Sequence, residues 1–184
     1  MKIMVVGGGG REHAIIKKLK ENANDAECVD IGAKDIEKIT AFAKDNNIDF
    51  AVVAPDDPLV LGAVDELNKI GVPCFGPDKK AAIIEGSKVF AKNLMKKYNI
   101  PTAAYEVFEN ADDALKYLET APIPTVIKAD GLALGKGVII AKTRDEAQKA
   151  VKTIMQDKIF GASGNSVVIE EFLEGPEVSV LSFT

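Results

Sequence analysis

Residues 124–141 read Pro-Thr-Val-Ile-Lys-Ala-Asp-Gly-Leu-Ala-Leu-Gly-Lys-Gly-Val-Ile-Ile-Ala. The β-branched runs at 125–127 and 138–141 predict two short strands. Between them lie Gly131, Gly135 and Gly137, with Lys128 and Lys136. Glycine lets backbone N–H groups approach an anion closely, and lysine adds a compact positive charge. The spacing is not that of a P-loop: three residues separate Gly131 from Gly135, and Lys136 is followed by glycine and a strand. Kinase glycine loops are spaced differently too. Two readings stand at this point. The hairpin is either a flap over a polyphosphate or a hairpin tip with an incidental lysine.

Upstream, an apolar run at 3–6 meets four glycines, Gly7 to Gly10, and then a helical pattern with apolar positions 15, 16 and 19. Strand, glycine turn and helix open a doubly wound sheet, with free N–H groups at the helix start. Arg11 either offers a fork to a phosphate or carboxylate or is a surface arginine. The dinucleotide fingerprint fails, because its third glycine falls on Glu12 or His13. Asp30, 20 residues after Gly10, reads as a solvated strand end rather than a ribose ligand.

Strands follow at 28–31, 50–54 and 72–75, with helices at 36–43 and 59–70. Residues 1–76 thus form an α/β unit of mostly parallel strands. The turn Pro55-Asp56-Asp57-Pro58 lies at a strand's carboxyl end, where open α/β sheets bind ligands; the aspartates equally suit a helix cap. Helices at 78–85 and 88–98 come next. The second carries Lys88, Lys92, Lys96 and Lys97, which read as a solvated face. Lys88 differs, because a cation at a helix start opposes the dipole unless an anion offsets it.

A strand at 105–108 and a helix at 111–119 capped by Asn110 precede the glycine hairpin. After it come a capping box at 143–146 opening a helix to about 155, a strand at 166–172, a Gly175-Pro176 turn and a strand at 177–183. This half mixes hairpins and helices in an α+β pattern.

The 184 residues are 47% hydrophobic and 28% charged, an ordinary globular composition, with formal net charge −5. That charge gives no footprint for nucleic acid. Cys28 and Cys74 read as free thiols of a cytoplasmic protein without a secretory signal, and no apolar run reaches the ~20 residues of a membrane helix. One histidine and two separated cysteines make a structural zinc site implausible.

Seven pieces, in order over nearly the whole chain, resemble the phosphoribosylamine–glycine ligases (glycinamide ribonucleotide synthetases), ATP-grasp enzymes of purine biosynthesis. They are Gly-Gly-Gly-Arg-Glu-His-Ala at 8–14, Ala-Pro-Asp-Asp-Pro-Leu at 54–59, Phe-Gly-Pro at 75–77 and Glu-Gly-Ser-Lys-Val-Phe-Ala-Lys at 85–92. The others are Ile-Pro-Thr-Ala at 100–103, Lys-Ala-Asp-Gly-Leu-Ala-Leu-Gly-Lys-Gly-Val at 128–138 and Val-Ile-Glu-Glu-Phe-Leu-Glu-Gly at 168–175.

The resemblance implies a pre-ATP-grasp α/β domain over 1–101, a connecting segment over 102–121 and an ATP-grasp lid subdomain over 122–184, cut short. It implies that Lys88 and Lys128 contact ATP phosphates, and that the hairpin with Gly131, Gly135, Lys136 and Gly137 is a lid over them. Glu170, Glu171, Phe172 and Leu173 would read adenine through their backbone, and Glu177 the ribose. Gly9, Gly10, Arg11, Glu12 and His13, with Pro55, Asp56 and Asp57, would face phosphoribosylamine. The implied reaction joins glycine to phosphoribosylamine through a glycyl phosphate. It needs no side-chain nucleophile, in keeping with the absence of any nucleophilic triad pattern in the sequence. Implied cofactors are ATP with Mg²⁺ or Mn²⁺, whose ligands are expected beyond residue 184; the full-length protein is expected to be a monomer.

Two departures carry expectations. The family's chain is more than twice as long, so this polypeptide is read as an N-terminal portion that does not turn over alone. A strand and a Pro-Gly-Asn-Ala-Gly loop usual in the family are replaced by Asn22-Ala23-Asn24-Asp25-Ala26. The alternatives are an inactive nucleotide-binding module and, behind it, an NAD(P)-binding α/β protein.

Overall fold

The computed structural model describes residues 1–22, 27–31, 35–133 and 136–182, and the chain divides into two compact units, Met1–Ser87 and Lys88–Thr184. Residues 23–26 of the replacement segment and Gly135 lie outside the described residues. Among the described residues no helix is long and apolar enough to cross a membrane.

The first unit holds β1 (Lys2–Val6), α1 (Gly10–Asn22), β2 (Glu27–Ile31), α2 (Ile36–Asp45), β3 (Phe50–Val53), α3 (Asp56–Leu61), α4 (Ala63–Lys69), β4 (Cys74–Phe75) and α5 (Lys79–Gly86). Its sheet has the order β2-β1-β3-β4 and is parallel throughout, as the apolar runs predict. Side chains alternate across β1. Met4 and Val6 pack with Ile39, Ala43 and Leu67 of α2 and α4 on one face. Ile3 and Val5 are buried on the other, where α1 contacts the strand. Each such fully buried aliphatic side chain contributes roughly 1.5–3 kcal/mol.

The spacing predicts one helix over 59–70; the structure has two. Gly62, at φ +98°, takes a left-handed conformation, and its N–H bonds Leu59 O and Pro58 O. Only glycine enters that region without a Cβ penalty, so α3 is capped there and α4 starts anew. Asp56 and Asp57 occupy the first turn of α3, whose N-cap is Pro55 and has no side-chain cap bond. Asp78 caps α5, accepting from Ala81 N at 2.8 Å.

The second unit holds α6 (Lys88–Lys97), β5 (Tyr105–Phe108), α7 (Ala111–Leu118), β6 (Thr125–Ala129), β7 (Val138–Ala141), α8 (Arg144–Val151) and β8 (Val167–Glu171). Its antiparallel sheet runs β5-β8-β6-β7. One face is dry: Ile127, Ala129, Val167 and Ile169 pack on Ala114, Leu118, Ala147 and Val151 of α7 and α8. Asn110 caps α7, and Thr143 with Glu146 closes the capping box of α8, which runs on through a π-helical turn at Lys152–Gln156. Arg144 donates from Nη1 to Leu118 O, the last carbonyl of α7, and from Nη2 to Ala121 O at 3.4 Å in the turn that follows.

Among the described residues the strand predicted over 177–183 is not formed: residues 172–182 are irregular, and Val178, Val180 and Leu181 are exposed. The alternation is present, but a strand also needs a neighbour. β8 is flanked on both sides by β5 and β6, and among the described residues no strand lies beside this stretch.

Candidate functional site

The second unit's sheet has another face. Cross-strand partners share a face, so the pairs Val126↔Ile140, Lys128↔Val138, Val126↔Glu170, Lys128↔Val168 and Tyr105↔Glu170 put these side chains together, opposite the core. Val138 is 44% and Ile140 51% exposed, so this end is an open apolar shelf. Beside it stands a charge cluster in an otherwise dry setting.

Glu170 is only 5% exposed. Its Oε2 accepts from Lys128 Nζ at 2.8 Å and lies 3.2 Å from Lys92 Nζ. Its Oε1 is buried and has no hydrogen-bond partner. A buried carboxylate oxygen left unpaired is costly, so it marks a place for a donor. Lys92, on α6, is buried and donates also to Thr102 Oγ1 at 2.7 Å and Ala103 O at 3.2 Å, with the Tyr105 ring centroid 5.3 Å away. Reading the lysine run as a solvated face is therefore wrong at Lys92. Its position four residues after Lys88, next to Ala91 and three before Met95, is the inner stripe of α6, and that spacing is the available signal.

Lys88 is half-buried, and its Nζ donates to Gly131 O at 2.8 Å, at the root of the glycine hairpin. The anion at the start of α6 is internal: Asp130 Oδ1 accepts from Val89 N at 3.2 Å. Gly131 takes φ +84°, and Ala129 N bonds Gly137 O at 2.8 Å, carrying the ladder of β6 and β7 one step toward the tip. Lys136 is exposed. Glu171 turns to β5, its Oε1 accepting from Ala104 N at 2.8 Å. Phe172 is half-buried, while Leu173 and Glu177 are exposed on the irregular stretch. So Lys128 and Glu170 converge, and Lys88 sits at the hairpin's base. Among the described residues no group of three His, Cys, Asp or Glu could hold a metal ion.

The first unit gathers its own set. Gly7, at φ +114°, turns the chain out of β1, and its N–H bonds Ile31 O at 2.8 Å. A Cβ there would lie 2.6 Å from Glu12 Cγ and 2.8 Å from Pro55 Cγ, so the glycine turn and the turn after β3 touch. Both lie at strand carboxyl ends. Glu12 is 7% exposed and folds back, Oε2 accepting from Gly9 N at 2.7 Å. This is the reciprocal half of a capping box with glycine at the N-cap. Gly10, Arg11, His13 and Asp56 are exposed around it, and Pro55 and Asp57 are half-buried.

The chain matches two family descriptions end to end: the N domain of phosphoribosylglycinamide synthetase over residues 1–85 and its ATP-grasp (A) domain over 86–184. It is 47% identical over 198 aligned positions to the phosphoribosylamine–glycine ligase of Caldanaerobacter subterraneus subsp. tengcongensis, covering 100% of the chain and 48% of that protein. It is 47% identical over 199 positions to that of Streptococcus pyogenes serotype M1, again covering 100% of the chain and 47% of the relative. The crystal structure of the Thermotoga maritima phosphoribosylamine–glycine ligase matches with TM-score 0.73 at 35% identity, over 96% of this chain and 45% of that one. D-alanine–D-alanine ligase from Bacillus anthracis shares the fold, with TM-score 0.70 at 23% identity, over 95% of this chain and 58% of that one. The chain spans about half the length of the curated relatives it matches. On both domains and on identity over its whole length, this chain belongs to the phosphoribosylglycinamide synthetase family, the ATP-grasp phosphoribosylamine–glycine ligases.

Proposed function

We propose that this chain is the nucleotide-binding part of a ligase that joins glycine to phosphoribosylamine at the expense of ATP. The observation that supports this reading best is the buried, unpaired Oε1 of Glu170, beside Lys128 and the exposed shelf of Val138 and Ile140. A purine base offers a flat apolar ring and an exocyclic amine that donates, and its triphosphate would meet the ammonium groups of Lys128 and Lys88. The glycine hairpin, with Gly131, Gly135, Lys136 and Gly137, closes over the phosphates. Backbone groups of residues 170–173 read the base edge, and Glu177 takes the ribose.

In the reaction, a glycine carboxylate oxygen attacks the γ-phosphorus and ADP leaves. The amine of phosphoribosylamine then attacks the acyl carbon, forming the amide and releasing phosphate. This chain's residues contribute binding, charge and orientation. In the first unit, Gly9, Gly10, Arg11, His13, Pro55, Asp56 and Asp57 face phosphoribosylamine, with Glu12 shaping the glycine turn. Mg²⁺ or Mn²⁺ accompanies ATP; among the described residues no group of three His, Cys, Asp or Glu would hold it.

The chain alone binds nucleotide without turning over. Calorimetric titration with Mg·ATP should give binding that Lys128→Ala abolishes, and NADH should give no heat. Binding of NADH, or ATP binding indifferent to Lys128→Ala, would overturn the site. ADP release that requires both glycine and phosphoribosylamine would overturn the claim that this length of chain is inactive.

A further inference from the structure

The three charged side chains behind the open face pose a question of charge balance. Lys92 is saturated: its Nζ has Thr102 Oγ1 at 2.7 Å, Ala103 O at 3.2 Å and Glu170 Oε2 at 3.2 Å, and its side chain is 8% exposed. An ammonium has three protons, so nothing is left for a ligand. Lys128 differs. Its side chain is 26% exposed, and among the described residues its acceptor is Glu170 Oε2 at 2.8 Å. With Glu170 and Lys128 alone, the pair would be formally neutral and closed. With Lys92 added from behind, two ammonium groups face one carboxylate, and the surplus positive charge falls on the lysine that reaches the open face.

We propose that Lys92 is a positioning residue: by holding and neutralising Glu170 from the buried side, it leaves the charge of Lys128 available to a phosphate anion. The inference rests on the nucleotide site proposed above, but it concerns a residue that touches no nucleotide. A surplus charge in a poorly solvated place is costly unless a counter-ion meets it, so the trio favours an anion where an isolated pair would not. Tyr105, with its ring centroid 5.3 Å from Lys92 Nζ, helps hold the lysine in place.

Formal charge then orders the variants. Counting residues 92, 128 and 170, Glu170→Gln carries two positive charges, the wild type one, the double variant Lys92→Met/Glu170→Gln one, and Lys92→Met none. The probe is inorganic tripolyphosphate, which has no base to read the carboxylate. It is titrated calorimetrically into the full 184-residue chain, with circular dichroism as the folding control. Each unit of charge should change affinity about tenfold, the order expected of a nearby charge acting on a polyanion at an effective dielectric near 20 with screening. Lys92→Met should bind about tenfold more weakly than wild type, Glu170→Gln about tenfold more tightly, and the double variant should return to within about threefold. Lys92→Arg should keep most of the affinity.

A purely structural Lys92 predicts the opposite for the pair, with the double variant weaker than Lys92→Met. That result, or a folded Lys92→Met with wild-type affinity, overturns the inference. If Lys92→Met does not fold, Glu170→Gln decides alone, and failure to bind tripolyphosphate more tightly than wild type overturns it. Failure of the nucleotide site looks different: the wild type then takes neither tripolyphosphate nor Mg·ATP.

Discussion

Gly7→Ala and Gly10→Ala are the same chemical change three residues apart, and the structure gives them opposite consequences. At Gly7 the backbone sits at φ +114°, and a Cβ would lie 2.6 Å from Glu12 Cγ, 2.9 Å from Glu12 Cδ and 2.8 Å from Pro55 Cγ. The backbone strain of an L-residue there costs about 1–2 kcal/mol. Displacing Glu12 and Pro55 adds about 1–3 kcal/mol, because Glu12 is anchored on Gly9 N and cannot swing away without losing that bond. The sum is about 3 kcal/mol. At Gly10, the first residue of α1, a Cβ meets nothing within 4 Å. Alanine there reduces the freedom of the unfolded chain and should be neutral to stabilising by up to ~1 kcal/mol. A unit of this size is stable by about 4–13 kcal/mol, so the first change removes a large share and the second almost none.

Urea denaturation followed by far-ultraviolet circular dichroism reads both effects. The chain has no tryptophan, and its tyrosines, Tyr98, Tyr105 and Tyr117, all lie in the second unit, so tyrosine fluorescence reports that unit alone. The expected result is a circular-dichroism transition at markedly lower urea for Gly7→Ala and at unchanged or higher urea for Gly10→Ala. Equal midpoints for the two variants would refute the reasoning, because they would mean that neither the left-handed turn nor the packed Glu12 is part of the folded loop.

Two further outcomes follow from single contacts. Thr143→Ala removes the side-chain half of the capping box on α8 and should cost about 1 kcal/mol, seen as a lower urea midpoint in tyrosine fluorescence; no shift would mean that the box is not formed. Burial pushes the Cys74 thiol up to about 11 from the 9.0 of an exposed cysteine, and Sγ donates to Val72 O at 3.4 Å. The folded value is raised, so this contribution to stability is whole below pH 9 and is lost as pH rises through 11. In a Cys28→Ser background, iodoacetamide should alkylate native Cys74 with a rate midpoint near pH 11 and unfolded protein near 9; a native midpoint at 9 would overturn the assignment.

The parallel sheet, the two capped helices of the second unit and the glycine hairpin are legible in the sequence because each is dictated locally. The unbroken apolar run from Ile3 to Val6, ending in glycines, reads as a strand covered on both faces, and the structure buries it as one. Asn110 and Thr143 stand directly before the N–H groups they cap, and two β-branched runs flank the glycines. The misreadings have a common cause, since each depends on something distant in the chain or absent from a periodic pattern. The helix over 59–70 is broken by one backbone conformation at Gly62, which periodicity does not register. The strand over 177–183 has the alternation but no neighbour to complete it among the described residues.

The site divides along the same line. Lys128 and Glu170 stand out from their motifs, and the structure places them 2.8 Å apart across neighbouring strands. Lys92 escapes notice because lysines on a helix usually keep their charge in water, and a count of charges gives no sign that one of them is buried. What distinguishes it is three acceptors supplied by Thr102, Ala103 and Glu170, the last of them far along the chain. No local rule weighs that. Helical spacing still raises the question, since Lys92 shares the inner stripe of α6 with Ala91 and Met95. A lysine on such a stripe must either find acceptors or destabilise the fold, and here the acceptor that completes its set is the same carboxylate that the half-buried Lys128 touches. The requirement that buries Lys92 and the charge that would attract a phosphate are thus one arrangement, read from two sides of Glu170.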